Sequence, residues 1–550
     1  MGTIVVDISL DSAQKLAGDV NLQRRNGELS TPAVLSKMSN KIVERPVQLK
    51  ERVTLKDNLP AQTYGAPVTL STKTKIIATI GPACRKPETI ELMVRAGMDV
   101  ARINCSHADH ETIAAVVKDV REISQRLDQS VGVLLDLSGP KLRTKKLANG
   151  PVELKAGRKF TLTSRDIPGT EEIVSTTYPP LAKDVNKGDT ILLDDGLIEL
   201  KVLRTTDTDA ECEIITGATL NDHQGINIPG VRLSIPALTE KDKQDLAFGL
   251  KQEVDFVALS FVRDAKDLEE LRGLIGEHWP PVLVIAKLEK PEAIDHLEDI
   301  LDAADGVMIA RGDLGVELPP EKVPPIQKLI TRRANAKGKP VITATQMLDS
   351  MVNRPRPTRA EASDVANAIY DGTDAVMLSE ETARGAYPVE AVRMMQRIAH
   401  QAEASLDFTR LHEHALPTSA HAIAHAACNM AVDMNARVIA AFTKTGSTAR
   451  LISQFRPPNA IIALTQQMHV YRQLSLLWGT TPIMLTEVSD SESTLAIVEE
   501  TLLKRDIVAP KDNLVITGGL PIAARGPANF VKLSTIAARQ PESYVEHKGI

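Results

Sequence analysis

The chain has 550 residues, 43% of them hydrophobic and 25% charged, with a formal net charge of −6. That length foresees several domains with ample buried core, and the slight acidity leaves no overall basic field for nucleic acid or an anionic membrane surface. The four cysteines, Cys84, Cys105, Cys212 and Cys428, form no CxxC pair, so they read as reduced core residues of a cytoplasmic protein.

Residues 1–71 read as an N-terminal extension. Asp7 interrupts the only early apolar run, and Asp11, Asp19, Glu28 and Glu44 follow. The start lacks a basic n-region, so no secretory signal is expected, and transit peptides are usually poor in acids, which argues against an organelle address. No apolar stretch anywhere is long enough to span a membrane.

From Lys73 a rhythm begins: "KIIATIGP", "DVARINCSH" and "VGVLLDLSGP" are apolar strands separated by amphipathic helical stretches. It stops over residues 141–227, where short runs alternate with period two, as in "RKFTLTSR" and "TILLDDGLIELKVL". Asp194-Asp195-Gly196 between two such runs predicts a hairpin. The rhythm resumes with Thr239 and Asp242 as a helix start. Five more strands follow: "DFVALSF", "PVLVIAKLE", "GVMIARGD", "KPVITATQM" and "DAVMLSEET". Eight β/α units predict a closed (β/α)8 barrel over 72–140 and 228–405, interrupted by an all-β insertion at 141–227. Residues 406–550 read as a third, α/β domain.

Polar residues fall at the ends of these strands. Arg102 and Asn104 close the second, followed by Ser106 and His107, and Asp136 closes the third. Lys287 and Glu289 close the fifth, Arg311 and Asp313 the sixth, Thr345 and Gln346 the seventh, Ser379 and Glu381 the eighth. Any one of them alone reads as a solvated rim residue or a satisfied ion pair. Six strand ends converging on one rim read as a catalytic face.

Glu289 and Asp313 are hard oxygen donors suited to Mg²⁺ or Mn²⁺, which take their remaining ligands from water and a phosphorylated substrate. The bland alternative is a carboxylate pair bridged by Arg311. Lys287 lies two residues before Glu289 and so shares its side of the strand, where it could stabilise charge in phosphoryl transfer or simply pair with Glu289. Arg102 is either a phosphate clamp or the partner of Asp136. No Walker or GxGxxG loop is present. "TKTGSTAR", Thr443 to Arg450, is either a phosphate cradle or a plain capping turn.

Together "KTKIIATIGPAC", "GMDVARINCSH", "AKLEKPEAI", "DGVMIARGDLGVELP" and the run from Lys339 to Ala383 resemble pyruvate kinase, across nearly everything from Lys73 to about Leu533. The resemblance implies a barrel with a lid domain and a C-terminal regulatory domain. It implies phosphoryl transfer from phosphoenolpyruvate to ADP, giving ATP and an enolate that becomes pyruvate, in a cytoplasmic homotetramer. It assigns Mg²⁺ to Glu289 and Asp313, and the transferring phosphoryl to Lys287 and Arg102. The substrate carboxylate falls to Gly312, Asp313 and Thr345, and enolate protonation to Thr345, Ser379 and Glu381. Asn104, His107 and Arg143 fall on the nucleotide side. Thr443, Lys444, Thr445, Gly446, Ser447 and Thr448 resemble the loop that holds a phosphorylated effector.

Many relatives read Asp-Thr-Lys-Gly-Pro-Glu at the third strand and bind potassium with the counterparts of Asn104, Ser106, Asp136 and the carbonyl of Leu137. In this chain Leu137 replaces the threonine and Lys141 the glutamate. This resembles the potassium-independent subset, with the Lys141 ammonium standing in for the ion; the bland alternative is a Lys141 that merely lies on the hinge surface. Two other departures are Gln224, where a nucleotide-side lysine is usual, and Glu380, where glycine is usual.

Overall fold

The computed structural model describes residues 72–407, 418–485, 491–519 and 526–537, so the extension 1–71 lies outside the described residues. Eight parallel strands close a barrel: β1 (Lys75–Thr79), β2 (Val100–Asn104), β3 (Gly132–Asp136), β4 (Phe256–Leu259), β5 (Leu283–Leu288), β6 (Gly306–Ala310), β7 (Val341–Ala344) and β8 (Ala375–Leu378). Lys75 registers with Ala375, which closes the ring. The sequences are continuous apolar runs because both faces are covered. Ile77, Val100, Leu134, Phe256, Ile285, Met308, Ile342 and Met377 fill the lumen, while Ile76, Ile103, Val133, Val257 and Val284 face the helices outside.

The helices carry their own signals. Thr239 and Asp242 form a reciprocal capping box at the start of Glu240–Lys251, as the sequence predicts. Asp109 caps His110–Leu127 by accepting from the Thr112 N–H at 2.8 Å.

The interrupting segment is a six-stranded sheet, antiparallel apart from one edge pair, with a core that includes Phe160, Leu162, Ile191, Leu200 and Ile214. The predicted hairpin joins Leu193 to Ile198. Asp194 and Asp195 both take φ +52°, the left-handed region that a tight hairpin turn demands. The last region is a five-stranded sheet, parallel except for Phe530–Thr535.

That region packs on the N-terminal end of the barrel. Leu476 joins the lumen cluster from below, and the Lys75 ammonium donates to the Thr480 carbonyl at 2.8 Å. Arg456 pairs with Asp374 at 2.9 Å and lies 4.9 Å from the Trp478 ring centroid. At this seam Gly132 has no room for a side chain: a Cβ would sit 2.7 Å from Ser475 Oγ and 2.8 Å from Phe256 Cε2. No helix among the described residues is long and apolar enough to cross a membrane.

Gly132→Ala is therefore expected to overpack the seam and cost about 1–3 kcal/mol. It should appear as a lowered thermal midpoint, and an unchanged midpoint would mean the seam is looser than these distances imply.

Candidate active site

Four charges of alternating sign lie buried across the C-terminal end of the barrel. Arg102 Nε donates to Asp136 Oδ2 at 2.7 Å. Lys287 Nζ lies 3.2 Å from Asp136 Oδ1 and 3.0 Å from Glu289 Oε1. Relative exposures are 8% for Arg102 and Lys287 and 1% for Asp136 and Glu289, so water screens none of them. Both bland pairings foreseen in the sequence, Arg102 with Asp136 and Lys287 with Glu289, are thus present, joined into one row through Lys287.

The row sets its own protonation. Burial pushes the Asp136 carboxyl up, but Lys287 and Arg102 outweigh it and hold the carboxyl below its ordinary range. Burial pulls Lys287 down, yet Asp136 and Glu289 raise it on balance, so it stays an ammonium. Glu289 is pushed up, first by burial, against the opposing pull of Lys287; the neighbouring charge of Asp313 adds to the rise.

Three supporting groups were not foreseen. Ser260 accepts from Lys287 Nζ at 2.6 Å and donates to the Leu137 carbonyl at 2.7 Å. Thr79 accepts from Arg102 Nη1 at 2.9 Å. The Phe261 N–H, at φ +56°, donates to Glu289 Oε2 at 2.7 Å. Thr79 ends β1 and Ser260 follows β4, the two strands at whose ends the sequence offers no candidate. Reading the first hydroxyl after each apolar run would have found both.

Asp313 lies in the first turn of the short helix Arg311–Glu317, not at a strand end. It lines the cleft between barrel and inserted sheet with Lys141, Leu142, Phe261, Lys290 and Glu292. Its carboxylate has no hydrogen bond or ion pair among the described residues. Arg311 does not bridge Glu289 and Asp313, as the bland alternative supposed. Consecutive helical residues turn by about 100°, so positions 311 and 313 point apart, and Arg311 faces Asp364 instead.

Thr345 and Gln346 follow β7 in a left-handed turn, at φ +76° and +54°. Gly312 lies against Thr345, whose Cγ2 would be 2.8 Å from a Cβ at that position. Glu381 is buried beneath the same turn. It accepts from the N–H groups of Leu348 at 3.0 Å and Ser379 at 2.7 Å, and burial raises its carboxyl. Glu380 points outward to pair with Arg384 on the surface and adds no charge to the site.

Other predicted residues lie at the margin. Asn104 accepts from the Ser106 N–H at 3.0 Å, and Ser106 and His107 are exposed. Arg143 is held in the inserted sheet by the His223 carbonyl at 3.0 Å, beside Gln224. The structure does not bring Lys141 to Asp136: the side chain is exposed, its ammonium makes no ion pair among the described residues, and the cations on Asp136 are Arg102 and Lys287. In the C-terminal region Thr443, Lys444, Thr445, Ser447 and Thr448 line a cavity of about 250 Å³. Gly446, at φ +84°, opens the helix Ser447–Gln454 there.

Asp136→Asn would strand two buried cations, a loss of roughly 3–5 kcal/mol at neutral pH. Because folding depresses the Asp136 pKa, its stabilisation is present above the ordinary carboxylate value of about 3.9. It is lost as pH falls through the depressed value. Wild type and variant should therefore differ widely in thermal midpoint at pH 7 and converge in strong acid; equal midpoints at pH 7 would contradict the row.

Residues 71–392 match the family model described as pyruvate kinase, barrel domain, and residues 421–534 that described as pyruvate kinase, alpha/beta domain. The chain is 46% identical over 470 residues to a pyruvate kinase of Staphylococcus aureus strain MRSA252, covering 84% of this chain and 80% of that one. The same protein from strain USA300 is 45% identical over the same length. A crystal structure of a pyruvate kinase from Cryptosporidium parvum superposes with a TM-score of 0.81 at 38% identity, covering 85% of this chain and 97% of the other. With the barrel, the C-terminal α/β region and both family models in agreement, the chain belongs to the pyruvate kinase family and is a phosphotransferase.

Proposed function

We propose that the chain transfers the phosphoryl group of phosphoenolpyruvate to ADP with Mg²⁺ held by Glu289 and Asp313, and that it needs no potassium. The Asp313 carboxylate, which lines the cleft and has no hydrogen bond or ion pair among the described residues, carries the metal reading, and the joint Leu137 and Lys141 departures carry the potassium one. The donor set fits: Glu289 and Asp313 offer hard oxygen ligands, and two carboxylates suit an ion that completes its shell from substrate and water. When bound, Mg²⁺ supplies Lewis-acid neutralisation of phosphoryl charge.

The chain's own residues do the rest. Arg102 and Lys287 present fixed positive charge to the phosphoryl as its bond to the enol oxygen breaks and one to the ADP oxygen forms, in a site that excludes water. Lys287 stays protonated because Asp136 and Glu289 flank it. The substrate carboxylate lies along Gly312, Asp313 and Thr345. The enolate carbon then gains a proton in the region of Thr345, Ser379 and Glu381, where burial keeps Glu381 more protonated than an ordinary carboxyl. Asn104, His107 and Arg143 border the nucleotide, with the sheet of 141–227 acting as lid over the barrel of 72–140 and 228–405.

Lys141 follows Gly139 and Pro140 at the root of the inserted sheet. Closure of that sheet would swing its ammonium towards Asp136, Asn104, Ser106 and the Leu137 carbonyl, where related enzymes hold potassium. The cavity at Thr443–Thr448 in the 406–550 region suits a phosphorylated effector, since Ser447 and Thr448 begin a helix and Lys444 adds a cation. A cytoplasmic homotetramer accords with the family, and four free, buried cysteines accord with a reducing compartment.

The deciding assay is pyruvate and ATP formation from phosphoenolpyruvate, ADP and Mg²⁺, run with potassium and then with a large organic cation. Equal rates are expected; a rate seen only with potassium would show that Lys141 does not replace the ion. Lys141→Glu should make the rate potassium-dependent. Lys287→Met should lower kcat by about 10²–10³-fold or more while Mn²⁺ still binds; near-normal turnover would exclude Lys287 from the chemistry.

A further inference from the structure

We infer that Arg311 is a positioning residue that holds Thr345 in its left-handed conformation against Gly312. This rests on the proposal that Thr345 touches the substrate.

Thr345 is β-branched, and φ +76° is a region such residues rarely enter. Such a conformation persists only where its surroundings over-determine it. Among those surroundings is one guanidinium. Arg311 Nε donates to the Ala344 carbonyl at 3.2 Å and Nη2 to the Thr345 carbonyl at 2.8 Å, so both peptide oxygens on either side of the strained residue are gripped. The guanidinium is itself fixed by Asp364, with Nη1 at 2.9 Å from Oδ1 and Nη2 at 2.8 Å from Oδ2. Gln327 adds a longer contact at 3.4 Å. A planar fork bonded to a carboxylate on one side and two carbonyls on the other has little freedom.

Two features show that the grip is aimed at the site. Arg311 and Asp313 occupy the same helical turn, so the arm that holds Thr345 starts beside the proposed metal ligand. The glycine between them leaves the space that the Thr345 methyl occupies, and any Cβ there would collide with it. Arg311 therefore sets the spacing between the Gly312–Asp313 backbone and the Thr345 hydroxyl, the two sides of the proposed carboxylate cradle. Lysine could reach one carbonyl but could not hold two carbonyls and Asp364 in one plane.

The test is a double-mutant cycle on the full chain, with Arg311→Met, Thr345→Ala and the double variant, and Arg311→Lys as a second, milder change. Each is assayed for kcat, KM and Mn²⁺ affinity, and for exchange of pyruvate methyl protons with deuterium. Displacing a reacting group by about 1 Å costs roughly 100-fold. Arg311→Met should lose about that much in kcat and in proton exchange, with Mn²⁺ affinity kept and Arg311→Lys intermediate. In the Thr345→Ala background it should add little, because the group it positions is gone. Repetition of the full loss in that background, or wild-type rates in Arg311→Met and Arg311→Lys while Thr345→Ala is impaired, would overturn the role of Arg311 alone. Wild-type rates in Thr345→Ala would instead overturn the role of Thr345, and that of Arg311 with it. Should Arg311→Met not fold, Arg311→Lys carries the same cycle.

Discussion

The site depends on one constraint: four ions held out of water must neutralise one another before any substrate arrives. Each buried charge costs several kcal/mol unless it is paired and hydrogen-bonded. Arg102, Asp136, Lys287 and Glu289 meet that condition as a row of alternating sign, with Thr79, Ser260 and the Phe261 N–H taking up remaining bonds. The row is formally neutral, and Asp313 beside it leaves one negative charge. A divalent cation would turn that surplus positive, and an anionic phosphate ester is what a positive, water-free pocket selects. Affinity for metal and affinity for substrate would thus be two consequences of one charge balance, centred on Lys287.

Such a row needs a rigid frame, because charges a few ångströms apart in low dielectric are sensitive to small displacements. The barrel provides it. The four ions come from β2, β3 and β5, strands buried on both faces, and the supporting hydroxyls from β1 and the end of β4. The same frame connects the far end of the molecule. Leu476 reaches the lumen from below, and Thr445, Gly446, Arg450 and Leu474 line one cavity with Phe256 and Ile285 of the barrel and with Asp305. A ligand at Thr443–Thr448 would therefore touch a loop that already borders the floor of the catalytic barrel. That packed continuity is what any control by the C-terminal region would have to use.

How far the sequence disclosed this differs from residue to residue. The barrel was legible because eight apolar runs alternate with amphipathic ones, and the hairpin at Asp194-Asp195 because its residues tolerate left-handed backbone. Lys287 and Glu289 were legible as neighbours because period two holds within and just beyond β5. The same rule fails at Arg311 and Asp313: β6 ends at Ala310, and the helical turn that follows sends the two side chains apart. Thr345 was visible as a residue but not as a strained one, since β-branched residues give no sign of positive φ. Ser260 and Thr79 give less sign of themselves, since no ionisable residue shares their strand ends, although the packing bonds them to Lys287 and Arg102.

Lys141 raises a different physical question, namely why a cation meant for Asp136 should stand in solvent. An ammonium is strongly hydrated, and in the open cleft Asp136 already has Arg102 and Lys287 on its two oxygens. Moving a third cation to that place would cost dehydration and repulsion with no new anion to offset them. The balance changes when phosphoenolpyruvate and a nucleoside diphosphate add several negative charges above the row. Lid closure would then bring Lys141 from water into a pocket that has become anionic, and the same step would exclude solvent from the transferring phosphoryl. A tethered cation differs from a free ion in one respect: its arrival is coupled to the lid by covalent bonds, so closure and charge compensation cannot occur separately.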